Sequence, residues 1–177
     1  MRLRPLTDRD VDAYVAAFAG DPELGRLLGV ENDPDAAALR DRIGRTDAAF
    51  GSGRFVEVAI ADDASGSFLG SLTLHSLDWN HRRGEVGFWI VPGGRRRGTC
   101  EAAVRLALTW MFDDLGLERV EMTTTPDNAA VAALAAKLGF TREGTMRARN
   151  LERGRRVDVV MFGLLRDEWA AARRPPA

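Results

Sequence analysis

The chain of 177 residues holds one cysteine, one tyrosine and two histidines. With Cys100 alone, no intramolecular disulfide can form, so a disulfide scaffold is excluded and a reducing, cytoplasmic setting is expected. Only Lys137 is a lysine, and every other basic side chain is arginine, a bias of GC-rich genomes that carries no function. Positive charges number 25 and negative charges 26, so no excess of one sign announces a nucleic-acid binder. No apolar run approaches the roughly 18 residues of a membrane span. Met1-Arg2-Leu3-Arg4-Pro5 is followed by no apolar stretch, so no leader is expected either.

What the chain does have is an ordinary globular balance, 45% hydrophobic and 29% charged. Its length suits one domain that buries roughly 70% of the surface of the unfolded chain. That domain is expected over 1–173, with 174–177 a frayed tail. Thr7 to Asp10 pairs a hydroxyl with a carboxylate three residues on, a helix start, and Val11, Tyr14, Val15 and Phe18 follow at helical spacing. A second helix is expected from Asp33-Pro34, with Leu39, Ile43 and Phe50 on its apolar side. Residues 54–61 alternate as a strand, 62–66 turn, and Ser67 to Leu77 return as a hairpin. Glu85 to Val91 is a third strand, stopped by Pro92-Gly93-Gly94.

Beyond this point strands and helices alternate. Val104, Ala107, Leu108, Met111, Phe112 and Leu115 form one helical stripe ending at Gly116. Arg119 to Thr125 is a short strand, and Val131, Leu134, Ala135 and Leu138 mark the next helix, closed by Gly139. Thr141 to Arg149 and Val157 to Leu165 read as an antiparallel pair, followed by a short helix over Asp167 to Arg173. The fold class is α/β, with an antiparallel first half and a β-α-β-α-β second half.

The most informative stretch is Trp89 to Glu101, where a strand ends, a glycine-containing loop turns and a long helix begins near Thr99. Unpaired amides at a helix start attract phosphate. Gly98 is expected to let the backbone approach a ligand closely, while Arg95, Arg96 and Arg97 add positive charge. The alternative is a plain cap with solvated arginines. The spacing is not that of a P-loop, which excludes that class of ATPase.

The stretch Arg95-x-x-Gly98-x-Cys100 resembles the R/Q-x-x-G-x-G/A pyrophosphate loop of the GNAT acyl-CoA N-acyltransferase superfamily, with Cys100 in place of Gly or Ala. Pro126-Asp127-Asn128 and Lys137-Leu138-Gly139-Phe140 are similar to the superfamily's P-x-N…K-L-G-F segment. Gly84 to Trp89 resembles the A-E-I-G-Y-W strand of its ribosomal-protein N-acetyltransferase (RimJ/RimL) branch. Leu3 to Thr7, Asp78-Trp79-Asn80, Gly139 to Gly144 and Asp158 to Trp169 are also similar to that branch, so the resemblance spans nearly the whole chain.

The resemblance implies a mixed, mostly antiparallel sheet that splays in the middle, with helices on both faces and acetyl-CoA inserted in the gap. It implies pantetheine pairing with Ile90 and Val91, phosphates on the amides of Arg96, Arg97, Gly98, Thr99 and Cys100, and a contact from Asn128. Asn128 is equally a good helix cap, and Asp127 is the other candidate for that cap. Transfer would be direct, in a ternary complex, so Cys100 is expected to pack rather than attack, and no metal is expected.

Glu85 is the expected catalytic base, because the branch carries a carboxylate at the matching strand position. A salt bridge to Arg82 or Arg83 is the structural alternative, and His75 and His81 are the other candidate bases. Val131 and Ala135 occupy the positions where relatives carry a serine or tyrosine acid, so a regulatory acyl-CoA-binding protein is the alternative function. The implied acceptor is a peptide N-terminus or a small amine, with no membrane or nucleic-acid partner and a homodimer left open. The arginines from Arg142 to Arg156 form a basic run, read either as a solvated hairpin or as a surface for an acidic peptide or RNA.

Overall fold

A computed structural model describes residues 1–28, 34–45, 55–152 and 154–173. Its strands are β1 (Arg2–Pro5), β2 (Val56–Ala61), β3 (Phe68–Asp78), β4 (Arg83–Ile90), β5 (Arg119–Thr124), β6 (Thr141–Glu152) and β7 (Arg155–Leu165). They form one sheet in the order β1-β2-β3-β4-β5-β7-β6. Every neighbouring pair is antiparallel except β4 and β5, which run parallel. A parallel pair needs a long crossover, and α4 (Thr99–Thr109) supplies it, continuing through a π-helical turn at Trp110–Asp114. The other helices are α1 (Val11–Ala19), α2 (Pro22–Leu27), α3 (Ala36–Gly44), α5 (Ala129–Leu138) and α6 (Arg166–Ala172).

Period-two alternation gives the sheet two different faces. Ile60, Leu72, Leu74, Val86 and Ile90 point to one side and pack on Val104, Ala107 and Leu108 of α4 and on Met111 of the π turn that follows it. That stripe of α4 is fully buried. Ala59, Phe68 and Trp89 point to the other side and meet Val11, Tyr14, Phe18, Leu24 and Leu39 of the first three helices. Here the Trp89 ring stands edge-on to Tyr14 at 4.8 Å and to Phe18 at 5.3 Å, an arrangement the ring quadrupoles favour.

The buried carboxylates on this second face, Asp10 and Glu57, are matched. Arg4 holds Asp10 through two bonds of 2.7 Å, and the backbone N–H of Thr7 adds a third. Burial pushes the Asp10 carboxyl up, but the Arg4 and Thr7 bonds outweigh it and leave it below the usual value. Glu57 receives the Ser71 hydroxyl at 2.7 Å and the Tyr14 hydroxyl at 3.1 Å. Burial, with the Glu57 charge beside it, pushes the Tyr14 phenol up to about 12.

The strand and helix order agrees with the sequence reading in the second half and departs from it in the first. β1 and α2 were not anticipated. α3 starts after Asp35, whose carboxylate accepts from Ala38 N–H at 3.0 Å, rather than at Asp33-Pro34. The helix expected to run on to Gly116 changes to π geometry at Trp110. β6 and β7 are longer than expected, with register shifts at Arg142/Gly144 and Met146/Asn150. Asp33, Phe50, Arg54 and the tail 174–177 lie outside the described residues.

Candidate active site

β4 and β5 pair only over Arg83–Glu85 and Arg119–Glu121. Beyond Glu85 they separate, while β4 stays paired with β3 to Ile90 and β5 with β7 to Thr124. The two strands therefore make a V with Glu85 at its vertex. A cleft of about 620 Å³ fills the V. Its floor is Val86 to Ile90 and Met122 to Thr124, and its walls are Leu24, Leu27 and Leu28 beside α2, and Val131 and Leu134 of α5.

The open end of the cleft is built from backbone. Val91 N–H bonds Leu69 C=O at 2.9 Å, so the alternation of an antiparallel ladder turns the peptide groups of Val86, Phe88 and Ile90 toward the gap. Of the two residues expected to offer free peptide groups, Val91 has its N–H committed to β3. The Ile90 carbonyl is also engaged, by Arg95 Nε at 3.0 Å. The Ile90 amide and the Phe88 peptide group remain as the edge a strand-like ligand meets.

After the short 3-10 turn Pro92–Gly94, the loop enters the left-handed region at Arg96 (φ 60°) and at Gly98 (φ 75°), with Arg97 between them. Such alternation curls consecutive amides around one concavity, the form that binds anions. The ladder of α4 begins with Ala102 N–H to Gly98 C=O at 3.0 Å, and no side chain caps Gly98. The amides of Thr99, Cys100 and Glu101 thus stand free at the positive end of the helix. A side chain at Gly98 would meet nothing within 4 Å. The glycine serves its positive φ, and the space beside it is open.

The three arginines of this loop separate in role. Arg95 reaches Asp21 Oδ2 at 2.5 Å as well as Ile90 C=O, fastening the start of α2 to the end of β4. Arg96 lines the cleft without a carboxylate partner, and Arg97 lies outside the lining. Cys100 is partly buried against the α4 core. Burial pushes its thiol up to about 12, which leaves almost no thiolate at neutral pH. Asn128 Oδ1 accepts from Val131 N–H at 3.3 Å, so Asn128 is the cap of α5, and its amide nitrogen keeps two donors for the cleft. Asp127 instead faces Arg26 at 3.1 Å.

The vertex is built from side chains. Glu85 is largely buried, and Thr123, which lines the cleft, donates its hydroxyl to Glu85 Oε1. His75 lies opposite Glu85 on β3, with Nδ1 at 3.9 Å from Oε2 and a third of its side chain exposed. Gly87 leaves the space between them: a Cβ there would stand 2.6 Å from Thr73 Oγ1 and 3.4 Å from His75 Nε2. The salt bridges to Arg82 or Arg83 do not form. Arg82 pairs with Glu118, and Arg83 with Asp78 and Glu121. His81 is exposed and held by Asp78.

Ile90, Arg95, Arg96, Gly98, Thr99, Cys100 and Asn128 thus gather on one cleft, with Glu85 one hydrogen bond behind its wall and Val91 and Arg97 beside it. The leucine wall of α2 and the role of Thr123 were not read from sequence. Asp21-Pro22, an aspartate cap with proline at the first helical position, is the signal that marks α2. Nothing local marks Thr123. Val131 lines the cleft and Ala135 is fully buried, so neither offers a proton. Among the described residues no group of three metal-ligating side chains forms, and no helix is long and apolar enough to cross a membrane.

Comparison with known proteins agrees with this geometry. Residues 1–141 match the model of the acetyltransferase (GNAT) domain family. The chain is 29% identical over 164 residues to an uncharacterized N-acetyltransferase, YoaA, of Bacillus subtilis, covering 93% of this chain and 92% of that protein. It is 35% identical over 104 residues to a putative ribosomal N-acetyltransferase, YdaF, of the same organism, covering 59% and 57% of the two chains. The crystal structure of a probable acetyltransferase superposes with a TM-score of 0.86 at 29% identity, covering 94% of this chain and 93% of that one. A splayed sheet, an amide-lined loop at the start of α4 and these matches place the chain in one family: it belongs to the GNAT acetyltransferases and is an N-acetyltransferase.

Proposed function

We propose that the protein acetylates a primary amine, a peptide N-terminus or a small amine, by direct transfer from acetyl-CoA in a ternary complex. The observation that carries this reading is the divergence of β4 from β5 directly beyond Glu85, which opens a cleft from a carboxylate to an amide-lined loop. The phosphates belong at the amides from Arg96 to Cys100, beside the Arg96 and Arg97 charges. The pantetheine arm belongs along Phe88 and Ile90, with Asn128 across from it. The thioester then lies near the vertex, between Val86 and Thr123.

The amine lone pair attacks the thioester carbonyl carbon, the carbon–sulfur bond breaks, and CoA leaves as a thiolate. Glu85 takes the proton the amine sheds, directly or through one water, and Thr123 fixes the orientation of its carboxylate. An ordinary thiol ionises near 8.5, so the thiolate departs without a protein acid, and apolar Val131 and Ala135 do not block the reaction. An α-amine, ionising near 7.7–8.0, is about one-tenth neutral at pH 7, against about one part in a few thousand for a lysine amine. That difference favours the peptide N-terminus over lysine as acceptor.

Release of free CoA thiol from acetyl-CoA, followed with an N-terminal peptide, with a small amine and without acceptor, tests the proposal. Acceptor-dependent release is expected. Calorimetric binding of acetyl-CoA with no release for any amine would overturn transfer and leave the regulatory reading.

A further inference from the structure

Most arginines of this molecule are matched with carboxylates. From Arg4 on β1 to Arg173 after α6, those on the helices and central strands stand beside an acidic partner. Among the described residues, arginines that lack a carboxylate partner cluster in two places, with only Arg2 and Arg9 apart from them near the N-terminus. One place is the phosphate loop, at Arg96 and Arg97. The other is the β6–β7 ribbon, where Arg147, Arg149, Arg155 and Arg156 are exposed and Arg142 holds only the Thr145 hydroxyl.

The ribbon contains three acids, two of them committed to arginines outside it and one to its own backbone. Glu143 is bound by Arg119, Glu152 faces Arg26 of α2 at 3.8 Å, and Asp158 accepts the Ala148 amide at 2.8 Å. Residues 141–165 thus carry six arginines against three acids, in a chain whose net charge is −1. The outer part of the ribbon also runs on past the end of β5. β5 stops pairing at Thr124 opposite Val160, while β6 and β7 continue together to Glu152 opposite Arg155. Unneutralised like charge on a two-stranded projection costs stability through self-repulsion, and an anionic partner relieves it.

We infer that the ribbon receives an acidic segment of the acceptor, so that the acetylated substrate is a peptide whose carboxylates follow its amino end by several residues. The inference rests on the transfer reading given above and adds the substrate class. Met161 pairs with Thr123, the residue that holds Glu85, and Arg156 lies five positions further along β7. At about 3.3 Å per residue that is roughly 17 Å. An extended peptide with its amine at the vertex therefore brings its residues from about the fourth to the seventh alongside the arginines. Residues 141–161 contain no aromatic side chain, so the ribbon lacks the stacking platform that single-stranded RNA uses, and the acidic peptide is the better fit.

Two peptides with the same first three residues, carrying Asp and Glu or else Asn and Gln from about position four to seven, separate the possibilities. Their affinities for the CoA-saturated full chain are read by calorimetry at low and at physiological salt. The acidic peptide is expected to bind about tenfold tighter, as several exposed pairs acting together allow, with the advantage shrinking as salt screens it. A variant with Arg147, Arg149, Arg155 and Arg156 changed to glutamine should lose the preference, and the corresponding lysine variant should keep most of it. A melting temperature no lower than that of the wild type confirms that each variant is folded. Equal affinity of the two peptides, or a preference that survives the glutamine variant, overturns the inference. So does an oligouridylate that displaces the acidic peptide at lower concentration than polyglutamate does. If a small amine is acetylated while neither peptide binds, the ribbon inference falls and the transfer reading stands. If the acidic peptide binds and no amine is acetylated, the transfer reading falls instead.

Discussion

The two ends of the cleft are made of different material. The end where we propose the phosphates sit is backbone: amides ahead of the α4 ladder, a left-handed Arg96 and Gly98, and a strand edge left by the splay. The vertex is side chain: Glu85 from β4, Thr123 from β5 and His75 from β3, brought together from positions up to 48 apart by strand register. A site made of amides tolerates many side chains and demands only a fold and a glycine. A site made of a carboxylate and its neighbours tolerates almost no substitution. Affinity and chemistry are therefore expected to separate cleanly between the two ends.

The largest effect should come at the vertex. Glu85→Gln keeps shape and the Thr123 contact but removes the proposed proton acceptor, and a positioned base is typically worth about 10²–10⁴ in rate. Single-turnover acetylation should slow by that factor while acetyl-CoA affinity, set some residues away at the loop, stays within about twofold. Wild-type turnover would make solvent or His75 the base and dissolve the distinction between the two ends.

The next effect belongs to the loop. Gly98→Asp places a carboxylate where phosphates are expected and forces an L-residue to φ 75°. The backbone cost alone is about 1–2 kcal/mol, or about tenfold in affinity, and charge repulsion adds to it. Gly98→Ala isolates the backbone cost, since its Cβ meets nothing within 4 Å. Calorimetry should therefore rank acetyl-CoA affinity as wild type, then alanine, then aspartate. Identical behaviour of all three would mean that the loop does not hold the phosphates.

A smaller effect is expected from Thr123→Val, which removes the hydroxyl from Glu85 and keeps the side-chain shape. A hydrogen bond to a charged group contributes about 1.5–3 kcal/mol, only part of which is specific to the transition state. A fall of roughly tenfold in single-turnover rate, with unchanged acetyl-CoA affinity, marks a positioning role. Thr123→Ser should restore most of the loss, and a purely structural threonine would show no such rescue.

The same division explains what the sequence revealed. The loop was legible because glycine spacing, a strand stop and a helix start are all local, and they appear as Val91-Pro92-Gly93-Gly94 and Gly98-Thr99. The β4–β5 half of the fold was legible for the same reason, since α4 carries an apolar stripe from Val104 to Phe112 that alternates with nothing else. The vertex was half legible. Glu85 stood out through its strand motif, but its partner Thr123 depends on the parallel register Glu85 opposite Glu121, which no local pattern encodes. Helix α2 was missed because six residues give too short a period to read, although Asp21-Pro22 carries its start signal. The ribbon was read as an antiparallel pair, but its outer end was read too short, because a register shift and a run of arginines hide the alternation beyond Met146.

The smallest effect on acetyl transfer is expected from Cys100, the one nucleophilic side chain at the loop end. A thiol usually ionises near 8.5, and burial against the α4 core pushes this one up to about 12. The sign follows from the thiolate being the reactive form. At pH 8 the buried thiol therefore holds about a thousandfold less thiolate than an exposed cysteine. Alkylation by iodoacetamide in the native protein should be slower by that order, and should rise about tenfold for each unit of pH until the fold opens. In urea the rate should return to that of a free thiol. Incubation with acetyl-CoA and no acceptor should add no acetyl group to the intact mass, because direct transfer from the vertex needs no acyl-cysteine. Rapid alkylation at pH 8, or an acetyl group mapped to Cys100, would place nucleophilic chemistry at the end of the cleft assigned to binding, and the contrast between the two ends would fail.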